Sequence, residues 1–404
     1  VGLPIMYAGG IFNAVCLLSN EQIVGLVAKQ HLAGDGIHYE PRWFKAWPDG
    51  VRAELKIGQR KYPLGDLLFN IGGIRIGFEI CEDAWVGSRP GASHAARGAD
   101  IILNPSASHF AFGKHEVRQR FVIEGSRAFN VSYVYANLVG NESGRAIFDG
   151  DAMIASTGQL LATGPRLSYQ ETLLTTCHVD IEKTRMIRAR TGSFEPDLDG
   201  DESDVIAVEF DFPETGIERG SIERPQWTRS EDIKCEEFTR SVGLGLLDYM
   251  VKSHSFGFVV SLSGGIDSAS AAVLVATAFR LADQELGFAR LLKRLQPIAR
   301  QFQRPPGNVD ELIRQLLTTV YQSTQNSTDV TRQAARAVAE AIGAVHLELD
   351  VDPMVRSYTQ AIEKALDQPL NWQDHDIPLQ NIQSRARAPG VWMIANLKNC
   401  LLYT

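Results

Sequence analysis

One stretch, VVSLSGGIDSAS at residues 259–270, constrains the fold of this chain more than any other. A short apolar run leads into two adjacent glycines, and an alanine-rich segment follows at once. Glycine lets the backbone adopt positive φ angles and approach a ligand closely. If the alanine-rich segment is a helix, its first amides point at one anion, which the helix dipole also favours. The stretch therefore predicts a strand, a phosphate-binding loop and a helix.

The residues from Glu231 onward show an alternation of helices and strands. Strand-like runs are GFVVSLS, LLTTVYQST and VHLELDV, and helix-like runs are EFTRSVGLGLLDYMVKSH, SASAAVLVATAF and DVTRQAARAVAEAIGA. Such alternation is typical of parallel sheets in which helices connect successive strands. Residues 231–404 are therefore predicted to form a doubly wound, Rossmann-like α/β domain around the loop.

Residues 1–190 have a different pattern, in which strand-like runs dominate. These runs are VGLPI, FNAVCLL, QIVGLVAK, IRIGFEIC, ADIILNP, SYVYANLV, DAMIAS and ETLLTTCHV. The segment KHEVRQRFVIEGSRAF is helix-like, with Val117, Phe121 and Ile123 roughly on one face. The pattern predicts a layered, mixed α/β domain. Because 404 residues exceed the usual size of a single core, at least two domains are expected.

Residues 191–230 separate the two patterns. They are rich in Asp, Glu, Gly and Pro and have no sustained hydrophobic period. Such a composition is typical of surface connectors. The predicted organisation is therefore a first domain at 1–190, a linker at 191–230 and a second domain at 231–404.

Composition limits the classes of partner. The net charge of −8 argues against nucleic acid, and no run reaches the roughly 18 apolar residues of a membrane span. The five cysteines are scattered and lack a C-x-x-C pair, which argues against a disulfide framework or a zinc site. We therefore expect small-molecule partners, no nucleic acid or membrane partner, a cytoplasmic location and no metal site of the zinc type.

The stretch GFEICEDAW at 77–85 places a cysteine among acids. Cys81 ends an apolar run, with Glu79, Glu82 and Asp83 close by. Alternation along a strand puts Cys81 on the face opposite the isoleucines. Acidic neighbours favour the neutral thiol over the thiolate. Cys81 is therefore either a small core residue or a nucleophile that needs a cation or a base from elsewhere in the chain.

The SGGIDS loop at 263–268 resembles the pyrophosphate loop of the PP-loop ATP pyrophosphatases. It lacks the lysine of a G-x-x-x-x-G-K-[ST] loop. The resemblance implies that ATP, with Mg²⁺, is cleaved between its α and β phosphates to adenylate a substrate. The implied ATP contacts are Ser263, Gly264, Gly265, Asp267 and Ser268. An ordinary capped turn between a strand and a helix is the alternative.

A downstream segment, NIQSRARAPGVWMIANLKN, is similar to the N-x-x-A-R-x-R helix of the NAD synthetase family. Asn381, Arg385 and Arg387 match that pattern, and Ser384 stands where alanine is usual. Asn381 and Arg385 are four residues apart, so a helix places them on one face. The resemblance implies that Arg385 contacts ATP, since a guanidinium can bind phosphates in a bidentate manner. It also implies that Asn381 contacts nicotinic acid adenine dinucleotide (deamido-NAD). A solvated basic helix face is the alternative.

Three segments of the first half, GIRIGFEICEDAW, GADIILNPSAS and YVYANLVG, resemble in order the nitrilase superfamily of carbon–nitrogen hydrolases. That family has an αββα sandwich and a Cys-Glu-Lys triad. The resemblance implies that Cys81 is the nucleophile, Lys29 the catalytic lysine and Glu40 an assisting glutamate. It also implies that Glu82 and Ser108 contact a glutamine substrate. For Glu40, a surface carboxylate is the alternative, and Glu79 and Asp83 receive no role.

Some features of the two families are expected outside residues 1–404. The general-base glutamate of the triad precedes the strand that VGLPI resembles, and the next strand of the synthetase follows NLKNCLLYT. We therefore expect the chain to be the middle of a longer protein. The general base, the metal ligands and the remaining ATP contacts are expected beyond its ends.

The two resemblances together point to the glutamine-dependent members of the NAD synthetase family. They imply amidation of deamido-NAD to NAD through an adenylate, with ATP, Mg²⁺ and ammonia from glutamine. They also imply a homo-oligomer formed through the synthetase domain. Two alternatives stay open. One is a PP-loop amidoligase with a different carboxylate substrate, and the other is an inactive fragment that only binds nucleotide.

Overall fold

The computed structural model describes residues 1–142, 144–198, 205–213, 216, 222 and 225–403. The chain divides into two compact units. The first comprises Val1–Gly140 and Phe148–Lys234, and the second comprises Asn141–Ile147 and Cys235–Thr404. In the described part of the chain, no helix combines the length and apolarity that crossing a bilayer requires.

The first unit is built mainly from strands. In chain order the strands are β1 (Gly2–Tyr7), β2 (Gly10–Ser19), β3 (Gln22–Ala28), β4 (Arg52–Ile57), β5 (Arg60–Gly65), β6 (Leu68–Ile71), β7 (Ile74–Phe78), β8 (Ile101–Ser106), β9 (Ser132–Asn137), β10 (Val139–Asn141), β11 (Ile147–Asp149), β12 (Met153–Ser156), β13 (Gln159–Thr163) and β14 (Val205–Val208). The helices are α1 (Glu40–Trp43), α2 (Pro90–Ala96), α3 (Lys114–Ala128) and α4 (Ile181–Arg190).

Two sheets of the first unit pack face to face. The smaller sheet has the order β1-β2-β3-β5-β4, and the larger has the order β13-β12-β9-β8-β7-β6-β14. Their shared core holds Val15 and Val27 from the smaller sheet and Phe69 and Phe78 from the larger one. Alternation along each strand directs these apolar side chains to one face. The predicted mixed α/β sandwich is confirmed.

Helices cover the outer face of the larger sheet. β7, β8 and β9 run parallel at its centre. Ala95 of α2 and Val122 of α3 pack in a core with Ile102 and Tyr133. The carboxyl ends of the three parallel strands therefore lie along one edge, and loops that follow them are brought together there.

Two predictions for the first unit need correction. The run ETLLTTCHV at 171–179 forms no strand. On α3, Val117 is 41% exposed, and the buried face instead carries Arg118, Val122 and Gly125. The prediction for α3 failed because of Arg118. A charged side chain is expected on the outer face of a helix, and only the structure reveals the partners that allow it to be buried.

Part of the segment expected as a linker belongs to a sheet. Val205–Val208 form β14, which pairs in parallel with β6 at the sheet edge. Val205 and Ile206 pack against the two cores on either face of that sheet. The apolar run VIAV thus fills an edge position, although its surroundings have the composition of a connector. The domain limits at 190 and 230 stay predictions.

The second unit is a parallel α/β sheet with helices. Its strands are β15 (Phe258–Ser261), β16 (Leu317–Ser323), β17 (Val345–Asp350) and β18 (Leu401–Tyr403). Its helices are α5 (Ile233–Lys252), α6 (Ile266–Leu286), α7 (Phe288–Arg294), α8 (Val309–Leu316), α9 (Asp329–Ile342), α10 (Asp352–Leu366) and α11 (Asp376–Lys398). The strand order is β17-β16-β15-β18, and all the pairs are parallel. The predicted Rossmann-like arrangement is confirmed.

Candidate active sites

Cys81 lies on a sharp turn after β7. The strand ends at Phe78, so the prediction that it runs to Cys81 is wrong. Cys81 instead opens a short 3₁₀ turn, Cys81–Ala84, and has a φ of +51°. A non-glycine residue with positive φ is strained, and such strain clusters at functional sites. The turn presents the thiol beyond the strand end, as a nucleophile requires.

The two acids without a predicted role hold this turn in place. Asp83 accepts hydrogen bonds from the backbone N–H of Ile80 and of His31, both at 2.8 Å. Glu79 is fully buried and ion-paired to Arg89, with 2.6 Å between carboxylate and guanidinium. The same carboxylate accepts hydrogen bonds from the Tyr133 hydroxyl and the Gly91 N–H. These acids therefore fix the backbone on both sides of Cys81.

Lys29 and Glu40 form an ion pair in the same unit. Lys29 follows β3 directly and is only 1% exposed. Its ammonium donates to the Glu40 carboxylate. That carboxylate also accepts from Asn13 Nδ2 at 2.8 Å and from the Ala33 N–H at 2.7 Å. Glu40 is thus held by three donors and is not a free surface carboxylate.

Electrostatics connect this pair to the thiol. Burial raises the pKa of the Cys81 thiol, and the nearby Lys29 ammonium opposes that rise. The Ala107 N–H and the Ser106 hydroxyl, which lie at the end of β8, also lower the pKa of Cys81 by hydrogen bonding to it. The structure therefore brings Cys81, Lys29 and Glu40 into one cluster, although Lys29 and Cys81 are far apart in sequence.

The two predicted glutamine contacts border the same cluster. Ser108 is 2% exposed, and its N–H donates to Asn137 Oδ1 at 2.8 Å. Its hydroxyl accepts from Arg118 at 3.2 Å. Glu82 follows Cys81 and is partly buried, and burial raises the pKa of its carboxyl group. Their contact with glutamine stays a prediction.

Sequence reasoning missed Arg118. Its side chain is fully buried, pairs with Asp149 at 2.7 Å and donates to the backbone carbonyls of Ser108 and His109. It therefore shapes the loop that contains Ser108. One signal for it was its place on α3, four residues after Lys114 and therefore on the same face of the helix. Its burial was not visible because Asp149 lies thirty-one positions away.

The SGGIDS loop of the second unit connects β15 to α6, as predicted. The Ser263 N–H donates to Ser268 Oγ at 3.1 Å, and the Gly265 N–H donates to Ser263 Oγ at 3.2 Å. Gly264 has a φ of +83°, and a Cβ there would lie 2.3 Å from the Thr331 carbonyl oxygen. This position therefore requires glycine. Asp267 is exposed in the first turn of α6.

Asn381 and Arg385 lie on exposed positions of α11. This helix packs against β15 and β18. Arg387 Nε donates to the Gln322 carbonyl at 3.3 Å, and the Gln322 side chain accepts from Ser261 Oγ at 3.0 Å. These bonds fix α11 to the ends of β15 and β16. Within the described residues, neither Asn381 nor Arg385 forms a hydrogen bond or ion pair with the loop, so their ligand contacts stay predictions.

Two protein-family models match separate parts of the chain. The carbon-nitrogen hydrolase family model matches residues 1–189. The NAD synthase family model matches residues 239–404. The two matches do not overlap, and they contain the Cys81 cluster and the SGGIDS loop, respectively.

Similar proteins carry both regions in one chain. The glutamine-dependent NAD(+) synthetases of Rattus norvegicus and Homo sapiens are 28% and 29% identical over 98% of this chain, which spans 57% and 59% of their lengths. A solved glutamine-dependent NAD(+) synthetase from Cytophaga hutchinsonii is 39% identical, with a TM-score of 0.78 over all of this chain and 60% of that one. The two matches and these similar proteins confirm the predicted resemblance to the glutamine-dependent NAD(+) synthetases.

Proposed function

We propose that this protein makes NAD by ATP-dependent amidation of deamido-NAD, with ammonia taken from glutamine. The observation that carries the proposal is the presence of two sites in one chain. The carbon-nitrogen hydrolase domain has the Cys81–Lys29–Glu40 cluster, and the NAD synthase domain has the SGGIDS loop at 263–268. The first site supplies nitrogen, and the second activates the carboxylate that receives it.

The proposed glutamine step uses the strained turn. The Cys81 thiolate attacks the side-chain amide carbon and places negative charge on the carbonyl oxygen. Lys29, which Glu40 holds in position, supplies positive charge for that oxyanion. As the intermediate collapses, the proton that the thiol gave up passes to the departing nitrogen, so ammonia leaves and a thioester remains. Water then hydrolyses the thioester to glutamate and restores the thiol. Glu82 and Ser108 contact the rest of the glutamine molecule.

The proposed ATP step uses the start of α6. The backbone amides of Gly264 and Gly265 and the hydroxyls of Ser263 and Ser268 face the phosphates. The nicotinate carboxylate attacks the α-phosphorus, pyrophosphate leaves, and ammonia then displaces AMP from the adenylate.

Further groups complete the proposed ATP site. Asp267 is an exposed carboxylate at the loop and fits Mg²⁺, which proteins bind through one or two carboxylates together with substrate phosphates. When bound, Mg²⁺ neutralises phosphate charge. Arg385 contacts ATP, and Asn381 contacts deamido-NAD.

The remaining features of the proposal concern the whole protein. Its partners are small-molecule substrates, and we propose a homo-oligomer formed through the synthetase domain, with no nucleic acid or membrane partner. We place the enzyme in the cytoplasm, because its five cysteines are all free.

Isotope transfer tests the proposal directly. The protein is supplied with deamido-NAD, ATP and glutamine labelled with ¹⁵N in its side-chain amide. We expect NAD that carries ¹⁵N in the nicotinamide amide, together with AMP and pyrophosphate in equal amounts, as measured by mass spectrometry. Formation of ADP and inorganic phosphate would contradict the adenylate. ATP–pyrophosphate exchange that depends on another carboxylic acid, and not on deamido-NAD, would contradict the substrate.

A further inference from the structure

An amide side chain at the end of β9 holds the backbone of the loop beside Cys81. β8 ends at Ser106, which pairs with Asn137 of β9. Asn137 Oδ1 accepts from the Ser108 N–H at 2.8 Å, and Asn137 Nδ2 donates to the Ser108 carbonyl oxygen at 3.0 Å. One side chain thus satisfies both the backbone donor and the backbone acceptor of a residue beyond the end of its strand.

The adjoining peptide group of the loop faces the thiol. The Leu138 N–H donates to the Ser106 carbonyl oxygen at 3.0 Å. Because the carbonyl and the N–H of a trans peptide point in opposite directions, this bond directs the Ala107 N–H away from Leu138. The Ala107 N–H forms a hydrogen bond with Cys81 and favours the thiolate. The end of β9 therefore fixes the peptide groups on both sides of Ala107.

Arg118 restrains the same loop from another side. Its guanidinium donates to the carbonyl oxygens of Ser108 and His109, both at 2.9 Å. The Ser108 N–H, in contrast, has Asn137 Oδ1 as its acceptor. Loss of the Asn137 amide would therefore leave the carbonyl side of Ser108 held by Arg118 and release its N–H side, which adjoins Ala107.

We propose that Asn137 is a positioning residue of the glutamine site, which keeps the Ala107 N–H directed at the Cys81 sulfur by fixing the Ser108 peptide groups. The inference rests on the proposed glutamine step, in which the sulfur carries negative charge before it attacks the amide. A backbone donor that is already in place stabilises such a charge without rearrangement of the loop.

The test separates this role from a general contribution to the sheet. Asn137→Leu keeps a side chain of similar size and removes both hydrogen bonds. Ser132→Ala is the matched control, because it removes a buried hydrogen bond of 3.1 Å between Ser132 Oγ and Ser156 Oγ from the same strand. Iodoacetamide labelling of Cys81 is measured between pH 6 and pH 10, with each cysteine resolved by mass spectrometry. Cys16 is 7% exposed, so its labelling reports unfolding.

Asn137→Leu should slow the labelling of Cys81 at pH 7 by roughly threefold to tenfold, because a misdirected N–H stabilises the thiolate less. The labelling profile should move to higher pH, and its rates should approach those of the wild type at the alkaline end. Ser132→Ala should keep the wild-type profile. Asn137→Ala should behave as Asn137→Leu does, since both variants lack the two hydrogen bonds.

Three labelling results would overturn the inference. They are an unchanged profile in Asn137→Leu, an equal shift in Ser132→Ala, and a rate that falls by the same factor at every pH, which would indicate altered access to the thiol. Labelling of Cys16 in both Asn137 variants would also count against it, because the two hydrogen bonds would then be a requirement of the fold.

Glutamine hydrolysis by the wild-type protein is measured in parallel as ammonia release. A shifted profile in Asn137→Leu without ammonia release from glutamine by the wild type would contradict the proposed function and leave the role of Asn137 at the thiol intact. Ammonia release by the wild type together with an unchanged profile in Asn137→Leu would do the reverse.

Discussion

Opposing effects act on the Cys81 thiol. Burial favours the neutral thiol, and the Lys29 ammonium favours the thiolate. The acids that neighbour Cys81 in sequence differ in role: Glu79 and Asp83 bind backbone and side-chain donors, whereas the Glu82 carboxylate accepts no hydrogen bond from the residues that the structure describes. The reactivity of the thiol therefore depends on residues that are distant in sequence.

Lys29→Met should move the alkylation profile of Cys81 to higher pH. The Lys29 charge lowers the pKa of the thiol, so its removal leaves the thiol protonated over a wider pH range. Glutamine hydrolysis should also fall by about 100-fold or more, because oxyanion stabilisation is lost. The rate of iodoacetamide labelling of Cys81 is measured between pH 6 and pH 10. Lys29→Arg is the control that retains the charge, and an unchanged profile in Lys29→Met would show that this ammonium does not act on the thiol.

At the scale of elements, side chains join segments that the sequence keeps apart. Glu79, just beyond β7, binds Gly91 in α2 and Tyr133 in β9. Arg118 on α3 binds Asp149 at the end of β11. In the second unit, Gly264 lets the loop approach the Thr331 carbonyl in α9. Each link fixes a loop that carries a candidate functional residue.

Glu79→Gln should lower the free energy of unfolding by about 3–5 kcal/mol. The change leaves the Arg89 guanidinium without its buried anion, and breaking one side of a buried pair has this cost. Urea unfolding is the measurement. Glu124→Gln is the matched control, because its pair with Arg127 lies on the surface and should contribute little. Similar losses of unfolding free energy in both variants would show that the buried Glu79–Arg89 pair stabilises the protein no more than a surface pair does.

Gly264→Ala should destabilise the second unit and weaken ATP binding. Alanine at a φ of +83° is strained and would also overlap the Thr331 carbonyl oxygen. Strain of this kind lowers the melting temperature by roughly 4 °C or more. At Gly265 the φ is −91°, and the nearest atom to an added Cβ is Ser263 Oγ at 3.4 Å. Gly265→Ala should therefore keep the wild-type melting temperature in a calorimetric scan. A fall of the same size in both variants would refute the steric argument.

At the scale of the whole molecule, the proposed function places glutamine hydrolysis and amidation of deamido-NAD in two different parts of the chain. If glutamine hydrolysis and amidation take place at separate sites, a substitution at one site should abolish one activity and leave the other. Cys81→Ala should reduce glutamine-dependent NAD formation at least ~1,000-fold and leave ammonia-dependent formation near the wild-type rate. NAD is measured with either nitrogen source at saturating deamido-NAD and ATP.

A complementary variant completes this comparison. Asp267→Asn changes the proposed phosphate and Mg²⁺ site, so it should lower NAD formation from glutamine and from ammonia alike. It should leave hydrolysis of glutamine to glutamate in place. Equal loss of both nitrogen sources in Cys81→Ala would contradict the two-site proposal.

The sequence by itself determined the order and kind of most elements. Period-2 alternation and helical spacing are local properties, so β15, α6, β16 and the parallel arrangement of the second sheet could be predicted from them. The SGGIDS loop was visible because its two glycines lie between a strand-like run and a helix-like run. Local pattern was weaker at element ends, and it placed the end of β7 three residues too late.

Only the tertiary structure decided which side chains meet. The pairing of Lys29 with Glu40 and the burial of Arg118 against Asp149 depend on packing between distant segments. Sequence spacing carries no information about such contacts, because the free energy of a charged group depends on its burial and on its partners in space. For that reason the sequence could name Cys81 and Lys29 only as separate candidates, and the fold brought the cation to the thiol.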